Sequence, residues 1–461
     1  MKTKVLLALS ASVVLFSACS LAPEYKKPEL SLPSSQKEIN VNAQWFKTFN
    51  DKKLDLLIAE ALKNNDDLKL AVVNVQKARA EYDISDADLY PSLDLSASAL
   101  RQKRSVNAYP GFFGGLYNDF SMSASMSYEF DFWGKNSNQR DANLANFLAV
   151  DANKETLRIS LITDVATYYF NLVAVEEQLQ IAQENLKNYE ATLAYREKQY
   201  KYGVVDALVV AQSKAEVASV KTAIDALNVT KVKSQSALVI LLGRSPKEIF
   251  ESSIDTKTEL PEFVEIPTTL PTNLLQNRPD VKIAEENLKA KTALIGVAKA
   301  AYFPNLSITG SYGFQSQKLS NLANSNSQVW GIGPSLYMPL FDFGRIEAAV
   351  KVTNAEQKAA LIAYDKTVKN AYKEVFDSLQ SIKAIKSKKD SMEQQVDAYN
   401  EAYRVAKQKY AKGTTSYLDV LIAQSLLLNS QLTYVTTKSE LLIEEATLYK
   451  ALGGGWRSVK D

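Results

Sequence analysis

The sequence predicts an internally duplicated, mixed α/β membrane protein in which pairs of short amphipathic strands feed into very long helices. Three observations predict it. Glycine and proline are absent between Gly134 and Gly203, Gly203 and Gly243, Gly344 and Gly413, and Gly413 and Gly453. The two longer intervals are both 69 positions and the two shorter both 40, so the halves repeat at an offset of 210. Ahead of each helical pair stand two runs in which apolar and polar residues alternate.

Breaker-free runs closed by glycine read as helices ending in a left-handed cap, a conformation that a residue without Cβ adopts at no steric cost. At about 1.5 Å per residue the longer runs would reach about 100 Å and the shorter about 60 Å. Leu157, Leu161, Val165, Tyr168, Leu172, Val175, Leu179, Ala182, Leu186, Tyr189 and Leu193 step by three or four. So do Leu418, Leu421, Ser425, Leu428, Leu432, Val435, Ser439, Leu442, Ala446 and Tyr449. That is a coiled-coil seam. Periodicity alone leaves open a solvated stalk or filament and a set of helices packed side by side with one wet face.

The strands favour the second. Met122, Ala124, Met126, Tyr128, Phe130 and Phe132 alternate with Ser121, Ser123, Ser125, Ser127, Glu129 and Asp131. Leu93, Leu95, Ala97 and Ala99 alternate with Ser92, Asp94, Ser96 and Ser98; Leu306, Ile308, Gly310, Tyr312 and Phe314 form a third run, and Trp330, Ile332, Leu336, Met338 and Leu340 a fourth. About ten residues is the length a tilted strand needs to cross a bilayer with one face to lipid and one to water. A single such hairpin equally suits a soluble core; two hairpins, each followed by a very long helix, do not. Phe130, Phe132, Trp133, Tyr302, Phe303, Phe341 and Phe343 crowd the strand ends and read as an interfacial girdle, and Tyr109 to Tyr117 reads as an exposed loop. The smallest bacterial barrels have about eight strands, and lipid tolerates no open sheet edge, so a four-stranded chain must oligomerise.

Lys2 and Lys4 precede an apolar run, Val5 to Phe16, too short to span a membrane as a helix, which ends at Phe16-Ser17-Ala18-Cys19. This resembles a lipoprotein signal peptide, with Phe16 where leucine is usual. The resemblance implies a lipidated Cys19 as mature N-terminus, and Ser20 in place of the aspartate associated with inner-membrane retention. Cys19 is the only cysteine. The 54 basic and 52 acidic residues leave a net charge of +2, which offers no argument for a nucleic-acid partner. Histidine is absent altogether, which removes the commonest general base and metal ligand. No phosphate loop, nucleophile elbow or metal-ligand spacing is present, so neither enzyme activity nor a cofactor nor a metal is expected.

Several motifs in fixed order carry a family resemblance. They are Arg278-Pro279-Asp280-Val281, then Ala284-Glu285, then Ala298 through Ser307 (AKAAYFPNLS), mirrored in the first half by Asp67-Leu68 and Leu89-Tyr90-Pro91-Ser92-Leu93. Asp67 to Asp280 and Pro91 to Pro304 share an offset of 213. Trp45-Phe46 with Phe49-Asn50-Asp51, Phe130 to Gly134, Tyr410 with Gly413, Tyr417 to Leu421 and Ala451 to Trp456 complete the set. Across nearly all of the mature chain the sequence resembles the TolC-like outer-membrane efflux family, in particular the lipoprotein branch of multidrug-efflux outer-membrane factors (NodT-type).

The resemblance implies a homotrimer in outer-membrane lipid, each chain giving four strands to a 12-stranded β-barrel that continues into a long periplasmic α-helical barrel. Its expected partners are a periplasmic adaptor (membrane fusion) protein and an inner-membrane pump of the RND type. The expected segments are a signal peptide at 1–18, an N-terminal segment at 19–50 packing near the equator, a first repeat at 51–243, an equatorial linker at 244–271, a second repeat at 272–456 and a tail at 457–461. Within the repeats, strands are expected at about 89–104, 119–133, 302–316 and 328–342, and helices at 135–202, 204–243, 345–412 and 415–452. The breaks at Gly203 and Gly413 are the expected helix tips, with Tyr200, Val204, Tyr410 and Thr414 beside them as the adaptor-docking surface. Arg278, Pro279, Asp280 and Pro304 are the family signature. The family's acidic constriction maps onto Asp419, with Asp206 near the other tip, whereas Ile422, Thr415 and Val209 stand where the family has further gate residues. The function implied is a passive exit duct for small toxic compounds or drugs. A duct for type I protein secretion and a non-conducting structural envelope lipoprotein are the alternatives.

Overall fold

The computed structural model describes residues 20–28, 41–103, 105, 115–251, 254–257, 259–263 and 278–456. Cys19, most of the loop at 109–117, part of the linker and the tail at 457–461 lie outside the described residues. The helices are α1 (Lys52–Asn64), α2 (Asp66–Ala87), α3 (Lys135–Lys201), α4 (Ala207–Leu241), α5 (Pro246–Glu251), α6 (Pro279–Ala300), α7 (Arg345–Ala411) and α8 (Tyr417–Ala451). The strands are β1 (Ser92–Lys103), β2 (Leu116–Phe130), β3 (Asn305–Ser316) and β4 (Gln328–Tyr337). The duplication is exact in length: α3 and α7 each have 67 residues, and α4 and α8 each have 35. The chain divides into two compact units, one made of Met1–Leu30, Val75–Val150 and Ile283–Asp365, the other of Ser31–Asn74, Asp151–Lys282 and Lys366–Asp461.

The first unit holds one antiparallel sheet in the order β1-β2-β3-β4. Its register puts Leu93 opposite Met126, Met126 opposite Gly310 and Gly310 opposite Ile332, so the apolar residues share one face. Serines share the other face, where the Ser98 and Ser121 hydroxyls meet at 2.8 Å and those of Ser96 and Ser123 at 3.1 Å. Among the described residues nothing covers the apolar face: Leu93 is 77% exposed and Trp330 73%. β1 and β4 each pair on one side only. Pro334, which cannot donate to a ladder, sits on the β4 edge.

Several strand ends differ from the sequence reading: β1 and β3 each start three residues later than expected, at Ser92 and Asn305, just after Pro91 and Pro304. β2 starts at Leu116 and stops at Phe130, because the Asp131 carboxylate turns the chain by accepting from the Asn136 and Ser137 backbone N–H groups at 2.9 and 2.7 Å. β4 stops at Tyr337, short of 342 and just ahead of Pro339; Asp342 then accepts from the Ile346 N–H at 2.7 Å to start α7. Phe132, Trp133, Phe341 and Phe343 therefore belong to the strand–helix junctions. There Trp133 stacks on Phe303 with centroids 4.5 Å apart, and its indole N–H donates to the Pro304 carbonyl at 2.9 Å. Of the N-terminal segment, residues 20–28 lie in the same unit and residues 41–50 in the second, so the segment does not pack at one place as expected. The Ser20 hydroxyl donates to Asn138 Oδ1 at 2.8 Å, and Gly296 leaves room for Ala22, whose backbone N would stand 2.8 Å from a Cβ there.

The second unit carries the main core. The one-turn 3-10 helix Trp45–Phe49 packs its aromatic rings among Tyr169, Phe170, Leu172 and Ile58, and Trp45 stacks on Tyr449 at 4.8 Å. Asp51, wholly buried, caps α1 through the Lys53 and Leu54 N–H groups and accepts the Tyr169 hydroxyl at 2.8 Å. Most seam residues are buried as expected. Leu157, Tyr168 and Leu418 are not, because α3 buries Ile162, Tyr169 and Val173 around the core and α8 turns Tyr417 and Val420 inward at its start.

Candidate functional site

The two helical turns around Gly203 and Gly413 fold identically. Gly203 has φ 73° and Gly413 φ 72°, and in each the N–H of the glycine and of the next residue bond back three and five positions, Gly203 to Tyr200 and Val204 to Gln199, Gly413 to Tyr410 and Thr414 to Lys409. This is the Schellman arrangement, which needs positive φ at the glycine. Nothing lies within 4 Å of a Cβ built at either position, so the turns are open on their outer side. Tyr200, Tyr202 and Val204 are exposed around the first turn.

Both aspartates expected at the gate start the helices that follow the turns. Asp206 is the N-cap of α4, accepting from the Val209 N–H at 3.1 Å. At the equivalent position of the second repeat stands Ser416, and Asp419 is the partner in its capping box: Ser416 Oγ accepts from the Asp419 N–H at 3.2 Å while the Asp419 carboxylate accepts from the Ser416 N–H at 3.0 Å. The Thr415 and Ser416 hydroxyls also donate to that carboxylate, at 2.6 and 2.7 Å. These bonds, Thr415 first, hold the Asp419 carboxyl below its ordinary pKa. A depressed folded-state pKa means that this support is complete above the ordinary carboxylate range and is lost as pH falls through the folded value. Asp419 faces solvent in the single chain, and Leu418 beside it is exposed rather than in the seam.

The buried residue beneath the turns is one the sequence reading passed over. Arg196, 6% exposed, lies with its guanidinium carbon 4.2 Å from the Tyr417 ring centroid and 4.6 Å from that of Tyr410, and donates to Gln199 Oε1 at 2.6 Å. The Ser213 hydroxyl donates to the Tyr417 oxygen at 3.2 Å. A cation between two aromatic faces ties α3 to α7 and α8, an attraction worth roughly 1–2 kcal/mol when desolvated. The only signal in the sequence was an arginine seven residues before Gly203, and helical periodicity does not show which rings it meets across a second hairpin.

The signature residues cluster elsewhere in the second unit. Pro279 opens α6, and Arg278 grips Asp280 with two nitrogens at 3.0 and 2.6 Å, Glu374 at 2.7 Å and the Ala451 carbonyl at the end of α8 at 2.8 Å. Burial opposes its charge, but the Asp280 and Glu374 carboxylates outweigh burial and raise its pKa. Pro304 lies in the first unit, accepting from Trp133. Among the described residues no group of three His, Cys, Asp or Glu side chains could hold a metal, and no helix is long and apolar enough to cross a membrane.

The profile of the outer membrane efflux proteins matches residues 57–244 and 270–454, one span for each repeat. The chain belongs to the outer membrane efflux protein family. It is 32% identical over 454 residues to the cation efflux system protein CusC of Escherichia coli O6:H1, covering 96% of each chain. It is likewise 32% identical over 467 residues to the probable outer membrane lipoprotein SilC of Salmonella typhimurium, covering 98% of each. Among solved structures it is similar to the CmeC outer membrane channel of Campylobacter jejuni, with a TM-score of 0.90 at 29% identity over 96% of each chain. The protein is thus an outer-membrane efflux duct of the TolC-like fold, a component of a tripartite export system extending into the periplasm. The family is one of channels rather than enzymes.

Proposed function

We propose that three copies of the chain close a 12-stranded barrel through their β1 and β4 edges and form a passive conduit for small toxic compounds, delivered by an RND-type pump and a periplasmic adaptor. The observation that carries this reading is a sheet with an uncovered apolar face, a hydroxyl-lined opposite face and two unpaired edges. Serine hydroxyls interspersed with the carboxylates of Asp94, Asp119 and Glu129 on the inner face suit a hydrated, acidic lumen. Substrate choice then rests with the pump. Within the same reading Cys19 is the lipid anchor and residues 41–50 and 254–257 pack on the helices of the second unit, whereas residues 20–28 run along the first unit instead of packing near the equator as expected.

At the far end, Asp419 of each copy forms the acidic constriction, supported by its exposure and its depressed pKa, which keep it charged. Asp206, which caps α4 near the other tip, joins it as the second aspartate of the gate. The open turns at Gly203 and Gly413, with Tyr200, Val204, Tyr410 and Thr414, form the adaptor-docking surface. Gly203→Leu combined with Gly413→Leu should cost about 1 kcal/mol of backbone strain at each turn. Because no neighbour is displaced, the double variant should assemble normally yet lose drug resistance and crosslinking to its adaptor. Wild-type resistance at wild-type abundance would remove the turns as the docking site.

A further inference from the structure

The apolar face of the sheet carries an open groove of about 570 Å³. Its floor is made by Ala124 of β2 and Gly310 of β3, diagonal neighbours in the register, and its walls by Met126, Tyr312, Trp330 and Ile332. From Leu93 on β1 to Gln328 on β4 it crosses all four strands. Three strand spacings of about 4.8 Å and four residues at about 3.3 Å make a diagonal of roughly 20 Å, long enough to lodge a tilted acyl chain from one leaflet, about 15 Å deep, of a hydrocarbon core about 30 Å thick. One end is polar: the Gln328 amide donates to the Tyr312 hydroxyl at 2.7 Å, beside the Trp330 indole. That end adjoins the loop between β3 and β4, whereas α2, α3, α6 and α7 all join the opposite strand ends. In a duct whose helices enter the periplasm, the polar pair therefore stands at the outer leaflet.

We propose that this groove holds one acyl chain of an outer-leaflet membrane lipid, with the lipid's polar head group against the Tyr312–Gln328 pair. The proposal rests on the reading of this face as the membrane-facing side of the barrel. A flat barrel wall touches a lipid chain along one side; a shallow trench floored by alanine and glycine and flanked by aromatic and aliphatic side chains adds contacts along its flanks, and dispersion contacts grow accordingly. A second copy is the poorer occupant, because the groove lies wholly within one chain's sheet and copies meet at the β1 and β4 edges. Gly310 is the position that keeps the trench open. A Cβ there would approach the Ile332 side chain at 3.8 Å and the Gly331 carbonyl oxygen at 3.9 Å, both ordinary contacts, so a longer residue would fill the groove without displacing backbone.

The test uses the full-length protein in phosphatidylethanolamine vesicles that contain a phospholipid with a photoreactive acyl chain, followed by peptide mapping of the labelled sites. In the wild type, labelling should concentrate several-fold on Ala124, Tyr312 and Ile332 relative to Leu95 and Leu336, which are exposed on the same face outside the groove. In Gly310→Leu that excess should disappear while Leu95 and Leu336 are labelled as before and the oligomer is retained. Even labelling across the wild-type face, which needs no variant, would overturn the proposal. So would groove residues labelled less than Leu95 and Leu336 in a protein that associates beyond its normal oligomer, the mark of a protein occupant. Absence of labelling at Leu95 and Leu336 as well would overturn the membrane-facing reading itself.

Discussion

Gly243→Ala should destabilise the folded protein by roughly 2–4 kcal/mol, several times the effect of Gly203→Ala or Gly413→Ala. The three glycines close their helices with almost the same geometry, φ 65°, 73° and 72°. What differs is the neighbourhood. A Cβ on Gly243 would stand 2.1 Å from the Asn64 carbonyl oxygen and 2.5 Å from its carbon, both backbone atoms at the end of α1, whereas the turn glycines meet nothing. Asn65 fixes that approach by donating its side-chain amide to the Leu241 carbonyl at 3.0 Å, and Arg244 by a two-pronged contact with Glu60 at 2.7 and 2.9 Å. Positive φ accounts for about 1 kcal/mol in all three variants, and separation of α1 from α4 supplies the remainder in one. Thermal unfolding followed by circular dichroism measures the difference. Equal shifts for the three alanine variants would show that the contact with Asn64 is not constraining.

Arg278→Ala should cost about 2–3 kcal/mol, just below what breaking a fully buried ion pair costs, because Asp280 and Glu374 keep partial access to water. Arginine there does three things at once. It satisfies a carbonyl at the end of α8, offsets the negative end of that helix, and matches the Asp280 carboxylate with two parallel donors. Lysine offers one compact charge and cannot reproduce the fork, so Arg278→Lys should recover less than half of the loss. Denaturant midpoints of the two variants decide it. Full recovery by lysine would reduce the site to simple charge neutralisation.

How much of this was legible in the residues depends on the range of the interaction. The long helices were, because glycine-free runs closed by glycine are a local signal, and the four turns at Gly203, Gly243, Gly413 and Gly453 carry the cap expected of them. The strands were legible through their alternation. Their ends were not: Asp131 and Asp342 look like polar strand residues until their carboxylates are seen capping α3 and α7. The same blindness applies to Asp206 and Asp419, whose helix-starting roles depend on backbone geometry two or three residues away. Arg196 was illegible for a different reason, since its partners Tyr410 and Tyr417 come from the other repeat, more than 200 positions along the chain. Family resemblance singled out Asp419 as the expected constriction residue but not the hydrogen bonds that its carboxylate accepts from Thr415 and Ser416.

Single-channel recording of the purified, reconstituted protein in a planar bilayer tests the central claim most directly. A duct closed by three four-stranded sheets and narrowed by a ring of Asp419 carboxylates should give discrete conductance steps that a trivalent cation blocks, with the block weakened in Asp419→Asn. Insertion into the bilayer with no conductance steps, in wild type and variant alike, would contradict the account and leave a structural envelope protein in its place.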